Sequence, residues 1–592
     1  MVKQAVAELL ERALDRLVAD KLLPAEDRPP VALDQPKQAA HGDFSCNAAM
    51  VLAKQHAAAT GAAKPNPRAL AQAIVERIED PAGLLAGKPE IAGPGFLNLR
   101  LAQDVWHKAL AAVWKEKERF GRSNAGRGQR TMVEFVSANP TGPMHVGHGR
   151  GAVLGDVIAN LLDWAGYSVS REFYVNDAGG QVWRLAHAVL ARATELIPGA
   201  ASVPLDPDDY QGEYIKDVAR AWIAAAPGAA EKVRRPFIEI REELRAFATH
   251  WILENLIKAD LGLFGIRFDR FFSEKSLHDK NELQAAVRYL EEKGMVAEEI
   301  LPPPKGVDTL DEEYVAKPLK VVKTTRYGDD RDRPLFKTNG EPTYFAADVA
   351  YHFDKIDRGF KRLIDVWGAD HSGYQSRMKA VVKAMGGELE IVIFQLVNLM
   401  KDGQPYKMSK RAANYVTLRE LLEAATPDAT RVFFLLRRGD MSLDFDIGLA
   451  QKRDNDNPVF YVQYGHARCA AILRKAKEEK GLDPALDPEA LAALQLPEEI
   501  DLIKRILQLP ELIAHAAQAL EPHRVVFYLQ ETIAAFHGYY TKYKKTERVI
   551  SDDPKKTSAR LYLIWALKQT LANALAVLGV SAPDRMDAPV ED

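Results

Sequence analysis

A strand, a glycine-containing loop and a helix follow one another after residue 130, and this succession constrains the fold more than any other feature of the 592-residue chain. The predicted elements are, in order, a strand at 131–137, a loop to Gly147, a helix from His148 to about Gly166, and strands at 169–175, 363–367 and 390–397. This order is typical of βαβ units in a doubly wound parallel sheet. The sequence therefore predicts an α/β fold with a Rossmann-type sheet.

The segments on either side of this sheet have different patterns. Residues 1 to about 115 combine an amphipathic helix with short alternating runs, which predicts a small α+β module. Helical stretches between about 178 and 340 predict an insertion into the sheet, and the region after about 450 predicts an all-helical domain. The predicted domains are therefore 1–115, 116–450 with its insertion, and 451–592. Within the last domain we expect helix breaks at Pro510, Pro522 and Pro554.

Composition restricts the class of protein. The chain has 79 Lys+Arg, 82 Asp+Glu and 47% hydrophobic residues, as in an ordinary globular protein. Cys46 and Cys469 are too few for a disulfide framework or a thiolate zinc site, which favours a reducing, cytoplasmic location. Charged or polar residues interrupt the apolar stretches at 1–23 and 561–580, so we expect no membrane passage. The net charge of −3 averages over basic clusters such as 542–548 and does not exclude a nucleic-acid partner.

The loop between Ser137 and His148 is the first candidate for chemistry. It leads into a helix N-terminus, where backbone N–H groups and the helix dipole favour an anion. Gly142 and Gly147 let the backbone approach a ligand, and His145 and His148 can both donate hydrogen bonds to phosphate oxygens. The alternative is a tight loop with two surface histidines.

A second candidate is the basic segment Lys407-Met408-Ser409-Lys410-Arg411, which follows turn-forming residues and is predicted to lie on a loop. Two lysines three positions apart can stabilise the charge that develops when a phosphoanhydride bond breaks. An exposed basic loop is the alternative for a short Lys/Arg cluster taken alone. The two motifs occur in an order that places the remaining strands of the sheet between them.

In this order the two motifs resemble the HIGH and KMSKS signatures of class I aminoacyl-tRNA synthetases, with arginine at the last position of the second. Over nearly the whole chain the sequence is similar to bacterial-type arginyl-tRNA synthetases. The similarity rests on Gly42-Asp43-Phe44, on Glu134 through His148, on Tyr174-Val175-Asn176-Asp177-Ala178-Gly179, on Gly368-Ala369-Asp370-His371 and on Ala582-Pro583-Asp584-Arg585-Met586.

The resemblance implies an enzyme that activates L-arginine with ATP and transfers it to the 3′-terminal ribose of tRNA(Arg), with activation dependent on bound tRNA. Mg²⁺ would accompany ATP without a dedicated protein metal site, and we expect a monomer. The catalytic residues expected are His145, His148, Lys407 and Lys410. The ATP contacts expected are Gly142, His145, Gly147, His148, Gly368, Asp370, His371, Met408, Ser409 and Lys410.

The choice of arginine has a physical argument beside the resemblance. A guanidinium is planar, charged and has five N–H donors, so a selective pocket should offer carboxylates. Glu134 interrupts an apolar strand, where an unpaired carboxylate would be costly, so a cation should meet it. Tyr344 and Asp348 are four residues apart in a helix predicted after Pro342 and share one face.

The resemblance places Tyr344 and Asp348 at the arginine side chain, and Glu134 and Asn139 near its α-amino end. An internal salt bridge for Glu134 or Asp348, or helix stabilisation by Asp348, is the alternative. The expected arginine contacts are Glu134, Ser137, Asn139, His148, Tyr344, Asp348 and Gln375.

Aromatic and basic residues alternate in the C-terminal third of the chain. RNA bases stack on aromatic rings while lysines meet phosphates, although packing between helices is an equal alternative for any single tyrosine. The resemblance makes this region an anticodon-binding domain and brings the N-terminal module to the corner of the tRNA. The expected tRNA contacts are Phe44, Asn47, Tyr461, Arg468, Tyr539, Tyr540 and Lys544.

Two rival functions differ from this one. The first is a synthetase for another amino acid. Cysteinyl enzymes use zinc, for which this chain has few thiols, and the large isoleucyl, valyl and leucyl enzymes carry an editing insertion for which there is no room. The tyrosyl and tryptophanyl types would leave Glu134, Tyr344 and Asp348 unexplained as a set. A synthetase-like RNA-binding protein without catalysis would have no use for the histidines of the first motif or the lysines of the second.

Overall fold

The computed structural model of the chain describes residues 2–24, 28–36, 38–60, 66–300, 318–401, 403–406 and 416–587. By the contacts between its residues, the chain divides into two compact units, each assembled from separate segments. Unit 1 contains Met1–Phe120, Arg468–Leu509 and Thr532–Leu571, and unit 2 contains Gly121–Ala467, Pro510–Glu531 and Ala572–Asp592. The predicted domain bounds at about 115 and 450 stay predictions, because they divide the chain by sequence, whereas the units follow contacts in space.

The first 116 residues form an α+β arrangement, as predicted. Their elements are α1 Val2–Ala19, β1 Leu33–Asp34, β2 Phe44–Cys46, α2 Ala48–Thr60, α3 Pro67–Glu76, β3 Glu90–Ala92, β4 Phe96–Leu99 and α4 Gln103–Glu116. The four strands form one antiparallel sheet in the order β1-β2-β4-β3. Helix α1 buries Val6, Leu9, Leu10, Ala13, Leu14 and Leu17. This three-and-four spacing confirms the amphipathic helix.

Unit 2 contains the predicted parallel sheet. The elements of the region from 130 to 292 are β5 Arg130–Glu134, α5 Val146–Trp164, β6 Ser168–Val175, α6 Gly180–Leu196, α7 Tyr214–Ala225, α8 Ala229–Lys232, α9 Phe237–Ile252, α10 Lys258–Leu263, β7 Arg270–Ser273, α11 Lys275–Asp279 and α12 Glu282–Glu292. One turn of π-helix, Leu253–Ile257, joins α9 to α10.

The remaining elements of this region follow in the same unit. They are β8 Val296–Glu299, β9 Leu319–Val322, β10 Arg333–Pro334, α13 Tyr344–Asp357, β11 Arg362–Gly368, α14 Gln375–Ala384, β12 Glu388–Phe394, β13 Val397–Lys401, β14 Gln404–Pro405, α15 Leu418–Ala424, α16 Pro427–Phe434, β15 Leu443–Asp446 and α17 Ile447–Gln451. Two small three-stranded sheets, in the orders β10-β9-β8 and β14-β13-β15, accompany the main sheet.

The main sheet has five strands in the order β12-β11-β5-β6-β7, and all four pairings are parallel. Its first strand along the chain, β5, lies in the middle, and later strands are added on both sides, as a doubly wound sheet requires. The predicted Rossmann-type fold is therefore confirmed. The carboxyl ends of the parallel strands meet at one edge, which is where open α/β sheets bind ligands.

The range predicted as a helical insertion, about 178–340, contains strands as well as helices: β8, β9 and β10 form a small sheet. Strand β7, at residues 270–273, lies inside that range and completes the main sheet beside β6. With only four residues between two helical regions, this strand is too short to give a clear period-two pattern.

The C-terminal region is helical, as predicted. Its long helices are α18 Pro458–Lys480, α19 Pro497–Ala519, α20 His523–Tyr543 and α21 Pro554–Leu578. Pro522 and Pro554 lie at helix boundaries, but Pro510 lies inside α19, so the break expected there was wrong. Leu509 and Ile513, on either side of Pro510, are fully buried, and their packing offsets the backbone hydrogen bond that proline cannot donate.

Helix α21 is the one helix, among the residues described, that is long and apolar enough to cross a membrane. In its most apolar window the mean hydropathy is 1.4, and 72% of that window is buried inside the protein. Such burial is typical of a core helix.

Candidate active site and comparison with known proteins

The turn after β5 directs the chain across the carboxyl edge of the main sheet. Val136 and Ser137 both have left-handed backbone conformations, with φ of 68° and 44°. A branched residue such as valine rarely adopts this conformation, and backbone strain of this kind is concentrated at functional sites. The Ser137 hydroxyl donates to Glu134 Oε1 at 2.9 Å and accepts from the backbone N–H of Tyr174 at 3.1 Å. The turn is thus fastened to both β5 and β6.

His145 and His148 form a reciprocal cap at the N-terminus of α5. The backbone N–H of His145 donates to Nδ1 of His148 at 3.3 Å, and that of His148 donates to Nδ1 of His145 at 3.2 Å. The two rings stack, with centroids 3.7 Å apart and planes inclined by 17°. Sequence reasoning brought these two histidines to one loop, and the structure adds that each orients the other.

The cap also determines where the protons of the two rings are. Since each Nδ1 accepts a hydrogen bond, a neutral ring carries its proton on Nε2. Burial lowers the pKa of His145, against the opposing effect of the Asp370 carboxylate, and burial together with His145 lowers the pKa of His148 to about 3. Both imidazoles are therefore neutral at pH 7, with the ring proton on Nε2.

The glycines of this loop are required by its packing. A Cβ at Gly147 would lie 2.9 Å from Cε1 of His145 and displace the stacked ring. A Cβ at Gly142 would lie 2.7 Å from the hydroxyl oxygen of Tyr214, which donates to the carbonyl of Thr141 at 2.7 Å. Whether Gly142 and Gly147 also touch ATP stays a prediction.

The end of β11 brings Gly368, Asp370 and His371 to the same edge of the sheet. Asp370 and His371 lie in a 3-10 helix, Ala369–Tyr374, and their side chains are 78% and 67% exposed. The negative charge of Asp370 is close enough to His145 to oppose part of the lowering of the His145 pKa that burial causes. This places the predicted ATP-binding segment 368–371 beside the histidine pair.

The basic motif Lys407-Met408-Ser409-Lys410-Arg411 lies outside the described residues. The roles predicted for Lys407, Met408, Ser409 and Lys410 therefore stay predictions. The described chain reaches Tyr406, whose backbone N–H donates to the carbonyl of Leu399 on β13.

Glu134 lies at the carboxyl end of β5 and meets a cation from within the protein. Its Oε2 is 2.5 Å from Nζ of Lys355, a fully buried ammonium on α13 that also contacts Oδ1 of Asp365 at 3.1 Å. Burial raises the pKa of Glu134 and the ammonium opposes this rise. The short contact is that of an ion pair, so we treat Glu134 as ionised. The internal salt bridge considered for Glu134 is present.

Asp348 lies on α13, which begins at Tyr344 after the cap residue Thr343, as predicted. Tyr344 is 89% exposed, whereas Asp348 is half-buried and is hydrogen-bonded to the hydroxyl of Tyr374. Burial raises the pKa of Asp348 to about 6. Among the residues that the structure describes, no lysine or arginine forms an ion pair with the Asp348 carboxylate.

Glu274 was missed by the sequence reasoning. It directly follows β7, and its carboxylate is hydrogen-bonded to the hydroxyl of Tyr174. Burial, with the nearby negative charges of Asp348 and Asp177, raises the pKa of Glu274 to about 7. The rule that found the other candidates, a polar residue at the carboxyl end of a parallel strand, would have identified it had β7 been recognised.

Asp348 and Glu274 therefore form a pair of acidic groups that repel each other at the edge of the sheet. Each is hydrogen-bonded to a tyrosine, and each has its pKa raised by burial and by neighbouring carboxylates. Such a pair is stabilised by a bound cation that contacts both. The arrangement favours a ligand with a planar, positively charged donor group.

Asn139 and Gln375 complete the predicted set around this edge. The Asn139 side chain donates to Oε1 of Gln181 at 2.6 Å, at the start of α6. Gln375 is half-buried and begins α14, directly after Tyr374. Their contacts with a substrate stay predictions.

The residues predicted to contact tRNA differ in accessibility. In unit 1, Tyr539 is 2% exposed and its hydroxyl donates to Glu499 at 3.3 Å, so the packing alternative describes Tyr539. Tyr540 is half-buried with the Arg468 guanidinium 5.5 Å from its ring centroid, and Lys544 is exposed. Tyr461, in unit 2, is half-buried.

The Gly42-Asp43-Phe44 motif has a structural role within unit 1. Gly42 has φ of 88°, and a Cβ there would lie 2.5 Å from the carbonyl oxygen of Leu99. The Asp43 carboxylate accepts from the backbone N–H of Leu101 at 2.7 Å and pairs with Lys504. Phe44 and Asn47 are half-buried, and their contact with tRNA stays a prediction.

Three family models match successive parts of the chain. They are "Arginyl tRNA synthetase N terminal domain" over residues 2–101, "tRNA synthetases class I (R), catalytic domain" over 109–435 and "DALR anticodon binding domain" over 462–586. The catalytic model contains β5, the histidine loop, Glu274 and Asp348.

Complete proteins are similar over the full length. The chain is 51% identical to an arginine–tRNA ligase of Anaeromyxobacter dehalogenans (strain 2CP-C), covering 100% of this chain and 98% of the relative. It is 44% identical to the arginine–tRNA ligase of Desulfosudis oleivorans, covering 99% and 100%. The fold matches that of Thermus thermophilus arginyl-tRNA synthetase with a TM-score of 0.74 at 22% identity, covering 99% of this chain and 100% of the other.

Proposed function

The chain belongs to the arginyl-tRNA synthetase family, and from this premise we propose how its own residues carry out the attachment of arginine to tRNA. The protein is an arginine–tRNA ligase that uses ATP. The arginine carboxylate attacks the α-phosphate of ATP, so that an arginyl-adenylate forms and pyrophosphate leaves. A ribose hydroxyl of the terminal tRNA nucleotide then attacks the arginyl carbonyl, and AMP leaves.

The histidine pair is proposed to bind the phosphates of ATP. Phosphoryl transfer depends on positioning and on stabilising the charge of the transition state. The Nε2–H groups of His145 and His148 are donors held in place by the reciprocal cap, so they need little reorganisation when charge develops. In this proposal Lys407 and Lys410 supply positive charge to the same phosphates, as the family signature implies.

The observation that carries the proposed arginine site is that Asp348 lies close enough to Glu274 for its negative charge to raise the pKa of Glu274. An arginine guanidinium has donors on both edges of its plane and a permanent charge, so it can bridge two carboxylates. Its charge offsets the burial and the repulsion by Asp348 and Asp177 that raise the pKa of Glu274. Tyr344, exposed at the start of α13, is proposed to cover the guanidinium.

The α-amino end of arginine is proposed to lie toward Ser137 and Asn139. In this proposal the strained turn at Val136 and Ser137 holds these residues between the guanidinium pocket and the histidine pair. The ion pair with Lys355 holds Glu134 in one position, and Glu134 in turn accepts from Ser137. Glu134 thus fixes the position of Ser137 at this end of the proposed site.

Mg²⁺ is proposed to enter with ATP as a counter-ion of the phosphates. Asp370, an exposed carboxylate beside His145, is placed where it can share such an ion with phosphate oxygens. The ion would neutralise phosphate charge, and the histidines would still orient the oxygens. A monomeric, cytoplasmic enzyme is part of the same proposal. The two cysteines are free and buried, which fits a reducing compartment.

Arginine binding is expected to weaken as the pH falls below about 7. Glu274 and Asp348 have pKa values of about 7 and about 6 in the unliganded protein, and a guanidinium needs both groups ionised. Affinity is therefore present above these values and lost as the pH falls through them. Measuring KM for arginine and for ATP between pH 5.5 and 8.5 should show a rise at low pH for arginine only. A rise of equal size for both substrates would contradict the assignment.

Lys544 and Tyr540 are proposed to contact tRNA. Replacing Tyr540 with leucine, or Lys544 with alanine, should weaken tRNA binding by about fivefold or more, since a stacked base contributes about 1–3 kcal/mol and a phosphate contact adds charge. The matched control is Lys542→Ala, because Lys542 is paired with Glu498. Binding is measured at one fixed salt concentration. Equal, small effects of all three changes would remove this surface from the proposal.

The function as a whole is tested by ATP–pyrophosphate exchange with each of the twenty amino acids, with and without cognate tRNA. Exchange with arginine alone among the twenty is the expected result. Exchange with another amino acid would contradict the proposed pocket.

A further inference from the structure

The turn that follows β6 contacts Glu274 and both of its neighbours in sequence. The backbone N–H of Glu274 donates to the carbonyl oxygen of Val175 at 3.0 Å. The Asp177 carboxylate accepts from the hydroxyl of Ser273 through Oδ2 at 2.6 Å, and from the backbone N–H of Lys275 through Oδ1 at 3.0 Å. Three consecutive residues at and just beyond the end of β7 are therefore fastened to the end of β6.

The same turn also holds the side chain of Glu274. The Glu274 carboxylate is hydrogen-bonded to the hydroxyl of Tyr174. The amide of Asn176 finds acceptors when its nitrogen points toward Glu274, and it then donates to Oε2 at 2.6 Å and to the carbonyl oxygen of Ala178 at 3.2 Å. A carboxylate has about four lone-pair sites, so about two remain for the paired N–H groups on one edge of a guanidinium.

The backbone of Asp177 is held independently of β7. Its N–H donates to the carbonyl oxygen of Val175 at 2.9 Å, and its carbonyl oxygen accepts from the Arg245 guanidinium at 2.9 Å. Arg245 lies on α9 and is 7% exposed. The Asp177 carboxylate is therefore a fixed point from which the end of β7 can take its position.

We propose that Asp177 is a positioning residue for the arginine site, and that its two hydrogen bonds present the Glu274 carboxylate to the substrate guanidinium. Asp177 acts on the substrate through Glu274 and does not touch it. The inference rests on the proposed arginine site, which it deepens. It assigns to the motif at 174–179 the selection of the amino acid rather than the binding of ATP.

The charge and the hydrogen bonds of Asp177 act on arginine binding in opposite directions. Its negative charge contributes to the raised pKa of Glu274, and a protonated Glu274 binds a cation less well. Its hydrogen bonds hold the same carboxylate in place. Asparagine lacks the charge but can keep both contacts, since its oxygen accepts from the N–H of Lys275 and its N–H donates to the hydroxyl oxygen of Ser273. Alanine lacks the charge and both contacts.

Asp177→Ala should raise KM for arginine by about tenfold at pH 8.5, the effect expected when a hydrogen bond to a charged group is lost. KM for ATP should stay within about twofold, and Asp177→Asn should keep KM for arginine within about twofold of the unaltered enzyme. Both KM values are measured in ATP–pyrophosphate exchange with cognate tRNA. Glu274, with a pKa of about 7, is ionised at this pH, so the comparison reports on its position. Equal effects of the two variants on arginine, or equal effects of Asp177→Ala on arginine and ATP, would overturn the inference.

Asp269→Ala is the matched control. The Asp269 carboxylate accepts from the backbone N–H of Arg171 at 2.8 Å, so it joins β6 to β7 at the start of β7 instead of its end. Its replacement should leave KM for arginine close to that of the unaltered enzyme. A rise as large as that in Asp177→Ala would show that any loosening of the two strands has the same effect, and would also overturn the inference.

Glu274→Gln separates the possible failures. An unchanged KM for arginine in this variant would contradict the proposed arginine site, and the inference with it. A raised KM in Glu274→Gln together with an unchanged KM in Asp177→Ala would overturn the role of Asp177 alone. If Asp177→Ala does not fold, Ser273→Ala decides, because it removes one of the two donors to Asp177. KM for arginine should then rise by about threefold or more, and an unchanged value would overturn the inference.

Discussion

Replacing His148 with asparagine should lower the rate of ATP-dependent arginine activation by about a hundredfold to a thousandfold, the loss typical of one donor to a transition-state oxygen. The asparagine oxygen lies near the position of Nδ1 and can still accept the backbone N–H of His145, so the cap at α5 is kept. The distal Nε2–H is lost. The rate is measured by ATP–pyrophosphate exchange with saturating arginine and cognate tRNA.

The matched variant is His148→Gln. Glutamine carries an amide N–H near the position of Nε2 but leaves the backbone N–H of His145 without its acceptor. If the donor matters, His148→Gln should retain much more activity than His148→Asn. The reverse order would show that the histidine pair acts by capping the helix. A rate for His148→Asn within threefold of the unaltered enzyme would remove His148 from catalysis.

Replacing Asp348 with asparagine should raise KM for arginine by about thirtyfold or more and leave KM for ATP within about twofold. Truncating one partner of a buried charge pair costs about 2–5 kcal/mol, and about 1.4 kcal/mol corresponds to a factor of ten. Asparagine has the same shape but presents an amide N–H to a guanidinium that has only donors. The measurement is the steady-state KM for each substrate in the exchange reaction, above pH 7.5.

Asp354→Asn is the control for Asp348→Asn. Asp354 is a carboxylate on the same helix, and its partner is Arg358. Its replacement should leave KM for arginine close to that of the unaltered enzyme. Equal increases for both variants, or equal increases for arginine and ATP in Asp348→Asn, would contradict a guanidinium contact.

The elements that were predictable from the sequence have local signals. The strand, loop and helix around His145 and His148 are specified by the apolar pattern and the glycines of residues 130–164, and the structure has all three. The cap formed by the two histidines was not predicted, because it depends on the backbone conformation at His145.

What was missed depends on contacts between distant parts of the chain. Glu134 was expected to meet a cation, but only the fold shows that this cation is Lys355, 221 residues later. Glu274 gains its importance from Asp348, which lies 74 residues away in sequence. Its strand β7 has four residues and gives little periodic signal.

The neighbouring tyrosines of α20 illustrate the same limit. Tyr539 and Tyr540 are adjacent in a helix and equally aromatic, yet one is buried against Glu499 and the other is half-exposed beside Arg468. Residues one apart in a helix point in different directions, and tertiary packing decides which of them faces the interior. The pattern of residue types does not decide it.

The central claim is that two carboxylates select a planar, positively charged donor, and comparing arginine with citrulline tests it most directly. Citrulline has the same length and shape, but a neutral urea replaces the guanidinium and turns a carbonyl oxygen toward the pocket. The measurement is kcat/KM for each amino acid in ATP–pyrophosphate exchange with cognate tRNA. The account predicts a preference for arginine of roughly a thousandfold or more, since buried polar groups would otherwise be left unpaired. A preference below about tenfold, the range of a single weak contact, would contradict it.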